Sequence, residues 1–345
     1  MDCCTNLEMK RSKKFLSRVI SILCDNTRKS GDPLGFRAKY WYHWASGNNI
    51  PGKSECILFT GRMYQMLPYL LRITDLMGSS KGLLSMWGVN KFLDVGKSYF
   101  GEILLRGSAR KEKKIRERAD KILKGIVKAL SITGQTPGYL FEEDPYSGAL
   151  LFDLGLEEDL KSHLEKIAEL LERKGVKRII TVDPHSTFIL REIMPEYVKN
   201  PIPEVIHYIE ILSRKIELLK REGRRTVPEE LVIHDPCVGA RELNLVNPVR
   251  DLVKGLGISL KEPENTGRNT ACCGGPVEYA FPELTCQISL MRVKELKNVG
   301  DHILVTCPIC LANLSKYEEE LNIRVWDLGE ILCEYLLGDE NGIVS

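Results

Sequence analysis

The sequence predicts an α/β fold made of two similar halves, each a mainly parallel sheet flanked by helices. Three observations predict it. Short apolar runs of strand type alternate with longer stretches of helical period along most of the 345 residues, the pattern of parallel strands joined by crossover helices. The pattern also runs twice. "ECILFTGRM" (55–63) echoes "ELVIHDPCV" (230–238), "TGQTPGYLFE" (133–142) echoes "NTACCGGPVE" (269–278), and "RIITVDPHS" (178–186) echoes "HILVTCPIC" (302–310). Such echoes indicate an internal duplication whose first copy lacks the cysteines of the second. Finally, 43% hydrophobic and 28% charged residues are the composition of a folded globular chain with material for a substantial core.

The elements follow in order. Residues 8–24 read as an amphipathic helix, and a polar, turn-rich and aromatic segment follows, so 1–51 is expected to be an N-terminal helix and linker. "ECILFT" (55–60) is of strand type and 63–77 of helical period; 78–108 is irregular and rich in glycine and aromatics. Residues 109–131 form a charged helix whose mixed signs indicate a solvated face. A helix over 156–174 leads into the strand "RIITV" (178–182), within a first half spanning 52–225. The second half, 226–345, repeats the rhythm. It has strands at 230–235, 257–263 and 302–307, and helices over 240–256, 277–298 and 311–321.

Charge and cysteine usage narrow the function. Forty-nine basic against 47 acidic residues give no electrostatic reason to expect nucleic acid. The first twenty residues lack the apolar stretch of a signal peptide. The most apolar region, 83–105, is interrupted by Lys91, Asp94 and Lys97, so no membrane span is expected and a cytoplasmic protein is the default. Eleven cysteines are many for such a chain, and in a reducing compartment they point to metal or redox chemistry before disulfides.

Their placement is more telling than their number. Cys237 is followed after 34 residues by Cys272–Cys273, after 33 more by Cys307, and after two more by Cys310. Cys237 follows one expected strand, Cys307 ends another, and Cys310 opens the helix after it. The carboxyl ends of parallel strands lie along one edge of a sheet, where ligand sites form, so five thiols from three loops are expected to converge there. Pro308 suits the first turn of a helix. Gly274 and Gly275 allow the chain to wrap closely around a bulky group. Five thiols exceed the four of a tetrahedral zinc site, whereas iron–sulfur clusters offer several irons for thiolates to ligate. The adjacent pair Cys3–Cys4 has no such context. Cys56, Cys286 and Cys333 are expected to be small buried hydrophobes. Trp41, Trp44, Trp87 and Tyr99 are expected to pack in the core or linker, or to form a docking surface for a partner.

"HDPCVGAR" (234–241), "CCGGP" (272–276) and "TCPIC" (306–310) resemble the cysteine-rich CCG domain of heterodisulfide reductase B- and D-type subunits. That domain also occurs in the iron–sulfur subunits of glycolate, lactate and glycerol-3-phosphate oxidation systems. The similarity covers roughly 52–335 and is strongest over 230–315. "KSGDPLGFRAKYWYHWASGNNIP" resembles the linker after a ferredoxin domain in D-type subunits, but no ferredoxin-style cysteine run precedes it. The resemblance implies a [4Fe–4S] cluster, cubane or non-cubane, ligated by Cys237, Cys272, Cys273, Cys307 and Cys310. His234, Arg241 and Gly274 would lie just behind these ligands. Full-length relatives carry two such motifs. In the first half of this chain Arg62 stands for the first cysteine, Thr136–Pro137 for the pair, and Asp183 and Ser186 for the last two. That half is a degenerate copy without cysteine ligands; His185 and Asp183, after a strand, form either a hydrogen-bonded loop or a metal-binding pair.

The implied function is an iron–sulfur electron-transfer or redox subunit of the heterodisulfide-reductase-related type, an oxidoreductase or the non-catalytic subunit of one. It would act on or near thiol and disulfide chemistry. Its partner would be a flavoprotein or ferredoxin-type subunit, and it would meet a membrane only through that partner. The alternative is a zinc-binding structural or scaffold protein.

Overall fold

Two four-stranded sheets, every strand pair parallel, carry the chain. The computed structural model describes residues 17, 20–36, 38–47, 49–69, 109–223, 227–275 and 281–337. The expected irregular segment 78–108, Cys3, Cys4, Trp87 and Tyr99 lie outside these. The first sheet comprises β1 (Cys56–Phe59), β2 (Gly138–Tyr139), β3 (Arg178–Thr181) and β4 (Glu204–His207), in the order β2-β1-β3-β4. The second comprises β5 (Glu230–Ile233), β6 (Ser259–Lys261), β7 (His302–Val305) and β8 (Arg324–Asp327), in the order β6-β5-β7-β8. The two orders are the same, as a duplication requires. Ile57, Leu58, Phe59, Ile179, Ile180, Val232, Ile233, Ile303 and Leu304 are each at most 1% exposed. Strands covered by helices on both faces need such continuous apolar runs. Among the described residues no helix is long and apolar enough to cross a membrane.

Element boundaries depart from expectation where local chemistry intervenes. Helical backbone runs over 20–30, past the expected stop at 24, and ends at Gly31, whose φ of 73° breaks it. The helix expected at 240–256 is two, Cys237–Arg241 and Val246–Gly255, separated at Asn244 by a φ of 54°. The segment after helix 20–30 packs as core: Trp41 and Trp44 are buried, and Asp32 is wholly so.

The ladders fix which residues of the halves correspond. Ile57 pairs with Gly138 and Ile179, and Val232 pairs with Lys261 and Ile303. Counting onward, Arg62 stands where Cys237 stands, and Asp183 and Ser186 stand where Cys307 and Cys310 stand. The pair is placed differently from expectation. Gly138–Tyr139 form β2, the counterpart of β6, so Thr136–Pro137 correspond to the strand and not to the cysteines. The segment at the pair's position is Tyr146–Ser147, followed by Gly148 at φ 91° where Gly274 has φ 93°. The echo of "GYL" with "GGP" misled because it matched glycines rather than strand register.

No thiol stands at these first-half positions, and a buried ion pair fills the space. Arg62 donates to Asp32 Oδ2 at 3.0 Å and to the Asp144 carbonyl at 2.7 Å. Asp183 caps the helix Pro184–Phe188 by accepting from the Ser186 N–H at 2.9 Å. Its second oxygen, Oδ2, has no hydrogen-bond partner among the described residues. Burial pushes this carboxyl up to about 6, because a charge there lacks water.

Long helices lock the halves together. Helix Ala109–Ile132 crosses helix Leu328–Leu336 with Gly125 at the crossing, where a Cβ would sit 2.2 Å from the Gly329 carbonyl oxygen. Arg118 grips Glu330 (2.7 and 2.8 Å), Lys121 reaches Glu334 (2.9 Å), and Tyr64 donates to Asp327 (2.8 Å). The face expected to be solvated therefore carries pairs between the halves.

Gly125→Ala should lower stability by about 1–3 kcal/mol through overpacking at the crossing, although alanine favours an isolated helix by about 1 kcal/mol; urea unfolding measures the sign. Asp183→Asn keeps the helix cap and removes the buried charge. The raised carboxyl costs stability as pH rises from its unfolded value through about 6. The variant should therefore be more stable by about 1–3 kcal/mol at pH 8 and unchanged near pH 4, read from unfolding midpoints at both pH values.

Candidate metal centre

The central strands of the second sheet, β5 and β7, are neighbours, so whatever follows their carboxyl ends meets. After β5 the chain turns through His234, Asp235 and Pro236, and Cys237 opens the helix Cys237–Arg241. After β7, Cys307 is the N-cap of helix Pro308–Leu314, with Pro308 at its first position and Cys310 two residues further in. Both sulfurs of this pair therefore sit at the mouth of one helix, where backbone N–H groups favour thiolate charge.

Cys272 and Cys273 arrive from the opposite side on the long loop after β6, and a buried carboxylate anchors that loop. Asp235 accepts from the Gly267 N–H (2.7 Å) and the Thr266 hydroxyl (3.1 Å), and Arg250 grips it with both Nη atoms at 2.9 Å. Burial pushes the Asp235 carboxyl up, but Arg250 and these donors outweigh it and hold it below its ordinary value. Thr270 donates to the Asp235 carbonyl at 2.9 Å, and Arg241 donates to the carbonyls of Thr270 (2.7 Å) and Arg268 (3.2 Å). Arg241, expected behind the ligands, thus braces the loop that delivers the cysteine pair. Gly274 turns the chain at φ 93°, where a Cβ would lie 2.9 Å from the Thr285 carbonyl. Its N–H donates to Cys272 Sγ at 3.3 Å.

All five expected sulfurs come together. Cys237 meets Cys272, Cys273 meets both Cys272 and Cys310, and Cys310 meets Cys307. Cys273, Cys307 and Cys310 are buried; Cys237 and Cys272 are half-buried. Five crowded thiols cannot all ionise unaided, and their proton affinities split. Contacts from Cys237 and Cys273 stabilise the Cys272 thiolate and lower its pKa. Burial opposes ionisation of Cys307, but Cys310 and His185 overcome it and lower that pKa too. Cys237, Cys273 and Cys310 are pushed up, each first by a neighbouring cysteine. Such a donor set suits a group that takes several thiolates on more than one positive centre, as an iron–sulfur cluster does. One zinc ion would leave a sulfur over.

Three side chains complete the pocket. His234, 1% exposed, places Nε2 3.3 Å from Cys310 Sγ. The ligand atoms of His234, Cys273 and Cys310 lie within 4.8 Å of one another. Burial, then the charge of Arg292, pushes the His234 pKa down to about 3. His185 crosses from the other half, on a helix packed against Cys237–Arg241, and meets Cys307. Burial depresses this imidazole, but the Cys307 contact lifts it to about 9. Asp183 caps the helix beneath it. Arg292, 1% exposed, stands behind His234.

The structure brings the expected His234 beside the sulfurs, puts His185 at the second half's pocket rather than in a first-half site, and adds Arg292, which the sequence did not single out. No local signal marks that arginine: "LMRVKEL" (290–296) looks like an ordinary amphipathic turn in which the charge reaches water. Cys286, expected to be buried, is exposed; the helix turns Thr285 and Ser289 inward instead. Cys333 is buried as expected.

Comparison with known proteins agrees with this geometry. Residues 231–315 match the family described as CCG, the cysteine-rich domain. A probable iron–sulfur-binding oxidoreductase of Bacillus subtilis is 27% identical over 64% of this chain and 32% of its own length. An EtfAB:quinone oxidoreductase of Syntrophomonas wolfei is 26% identical over 63% and 32%. A probable membrane-anchored ferredoxin of Chromohalobacter salexigens is 25% identical over 57% and 30%. The chain thus spans about a third of the length of these relatives. The motif, the sulfur pocket and the domain match coincide over the same residues, so 231–315 are a CCG cysteine-rich domain, in a chain similar to iron–sulfur-binding oxidoreductases.

Proposed function

We propose that this chain is an electron-transfer subunit that binds one [4Fe–4S] cluster through Cys237, Cys272, Cys273, Cys307 and Cys310. The observation that carries the reading is the meeting of five sulfurs from three loops at the carboxyl ends of β5 and β7. A bound cluster supplies reversible one-electron storage. The chain's own residues do the rest. The Asp235–Arg250 pair and Arg241 hold the loops so that the sulfurs are prepositioned. Gly274 directs its N–H at the Cys272 sulfur, His234 sets Nε2 beside the Cys310 sulfur, and burial of Cys273, Cys307 and Cys310 keeps water off them. Residues 226–345 form the cluster-binding half, and 52–225 are scaffold and partner surface.

The relatives named for quinone oxidoreduction and for a ferredoxin support exchange of electrons with a flavoprotein or ferredoxin-type partner. A cytoplasmic chain that reaches a membrane through that partner fits this role. With thiols at only one of the two corresponding sites, single-electron relay fits better than direct two-electron cleavage of a disulfide.

Anaerobically purified protein should carry about four irons and four acid-labile sulfides per chain. Cys273→Ser or Cys307→Ser should lose most of both, together with the visible absorbance. Zinc in place of iron, or full iron in both variants, would sink the assignment. A disulfide that reoxidises the reduced cluster at catalytic rate would make the chain a reductase rather than a relay.

A further inference from the structure

Arg292 lies on helix Pro282–Lys297 with its guanidinium wholly inside the protein. Its Nε donates to His234 Nδ1 at 3.0 Å, and its Nη1 pairs with Glu295 at 2.7 Å. Glu295 in turn accepts from the Asn265 N–H and side-chain amide, both at 3.0 Å, on the loop that leads to the cysteine pair. On its far side His234 presents Nε2 to Cys310 Sγ at 3.3 Å.

An arginine side chain has donors and no acceptor. The nitrogen it faces must therefore be the imidazole's unprotonated one, so Nδ1 carries the lone pair. A neutral ring with Nδ1 bare carries its proton on Nε2. A ring protonated at both nitrogens would set one N–H against another. A ring with Nε2 bare, as a metal ligand requires, would present Nδ1–H to Arg292 and fail in the same way. The arrangement leaves one role open, N–H donation from Nε2 to sulfur.

We propose that Arg292 is a positioning residue for the cluster: it fixes His234 as the Nε2–H tautomer, which donates to Cys310 Sγ and raises the reduction potential of the bound cluster. His234 is then a donor to a ligand and not itself a ligand, despite lying in ligating range of Cys273 and Cys310. The direction follows from charge: reduction adds negative charge to the cluster and its sulfurs, and a donor aimed at sulfur stabilises that state more than the oxidised one. The inference rests on the cluster assignment proposed above.

Two measurements on the anaerobically isolated, cluster-loaded chain test it. In the oxidised protein labelled with 15N-histidine, His234 should show a protonated Nε2 and a bare Nδ1; the opposite tautomer, or iron-bound nitrogen, overturns the proposal without any variant. In equilibrium redox titrations, Arg292→Met should keep full iron and sulfide but shift the midpoint to more negative potential. At the wild-type midpoint its reduced-to-oxidised ratio should fall about tenfold, the weight of a hydrogen bond to a charged group. Arg292→Lys, which retains a donor, should recover most of the shift. An unchanged midpoint in a fully loaded Arg292→Met protein overturns the proposal. If Arg292→Met fails to load, His234→Gln and His234→Leu take its place: the first keeps a donor and should titrate near wild type, the second should shift negative, and equal midpoints overturn the proposal. Wild-type protein that binds no iron refutes the cluster assignment instead, so the two failures are told apart.

Discussion

Repulsion among five sulfurs is the constraint that the second half is built to withstand. Thiols crowded in a buried pocket resist ionising together, and their split pKa values record that resistance. What holds them in place is polar and lies behind them. The Asp235–Arg250 ion pair pins the loop after β6, Arg241 ties the same loop to helix Cys237–Arg241, and Arg292 and Glu295 tie it to helix Pro282–Lys297. These groups have partners of their own, so the frame does not depend on what the sulfurs hold. A cation taken up by the thiolates would relieve the repulsion and stabilise the fold through the same residues.

The first half works as an internal comparison. It has the same strand order, the same register and the same left-handed glycine at the turn, yet an ion pair occupies the place of the first cysteine. Arg62 and Asp32 are nearly or wholly buried, and such a pair contributes less to stability than its geometry suggests, because both charges have been taken out of water. It does fill the space and satisfy the turn. Asp32 comes from the segment read as a linker, so that segment is part of how this half lives without thiols.

Much of this was legible in the sequence, for physical reasons. β1, β3, β5 and β7 are central strands, and burial on both faces leaves an unmistakable apolar run. β4 and β8 are edge strands with half-buried residues inside them, Val205 and Ile206 in one and Trp326 in the other, and "EVIH" and "RVWD" carry no such run. β2 has two residues and no pattern at all. The cysteine positions were legible because thiols are rare and the strand ends sharply marked. His185 and Arg292 were not, because their partners lie 122 and 58 positions away and the contacts exist only once the halves and the helices pack. The correspondence of Tyr146–Ser147 with the cysteine pair rests on the left-handed turn shared by Gly148 and Gly274, since the loop lengths differ between copies.

Exposure across the five sulfurs is graded, and the grading gives the pocket a front and a back. Cys273, Cys307 and Cys310 are sealed, with His185 of the neighbouring half closing the rear, while Cys237 and Cys272 touch water. A visitor, protein or small molecule, meets the short helix of Cys237 and the turn of Cys272 first. Among the described residues, this is the side on which the five sulfurs reach the surface.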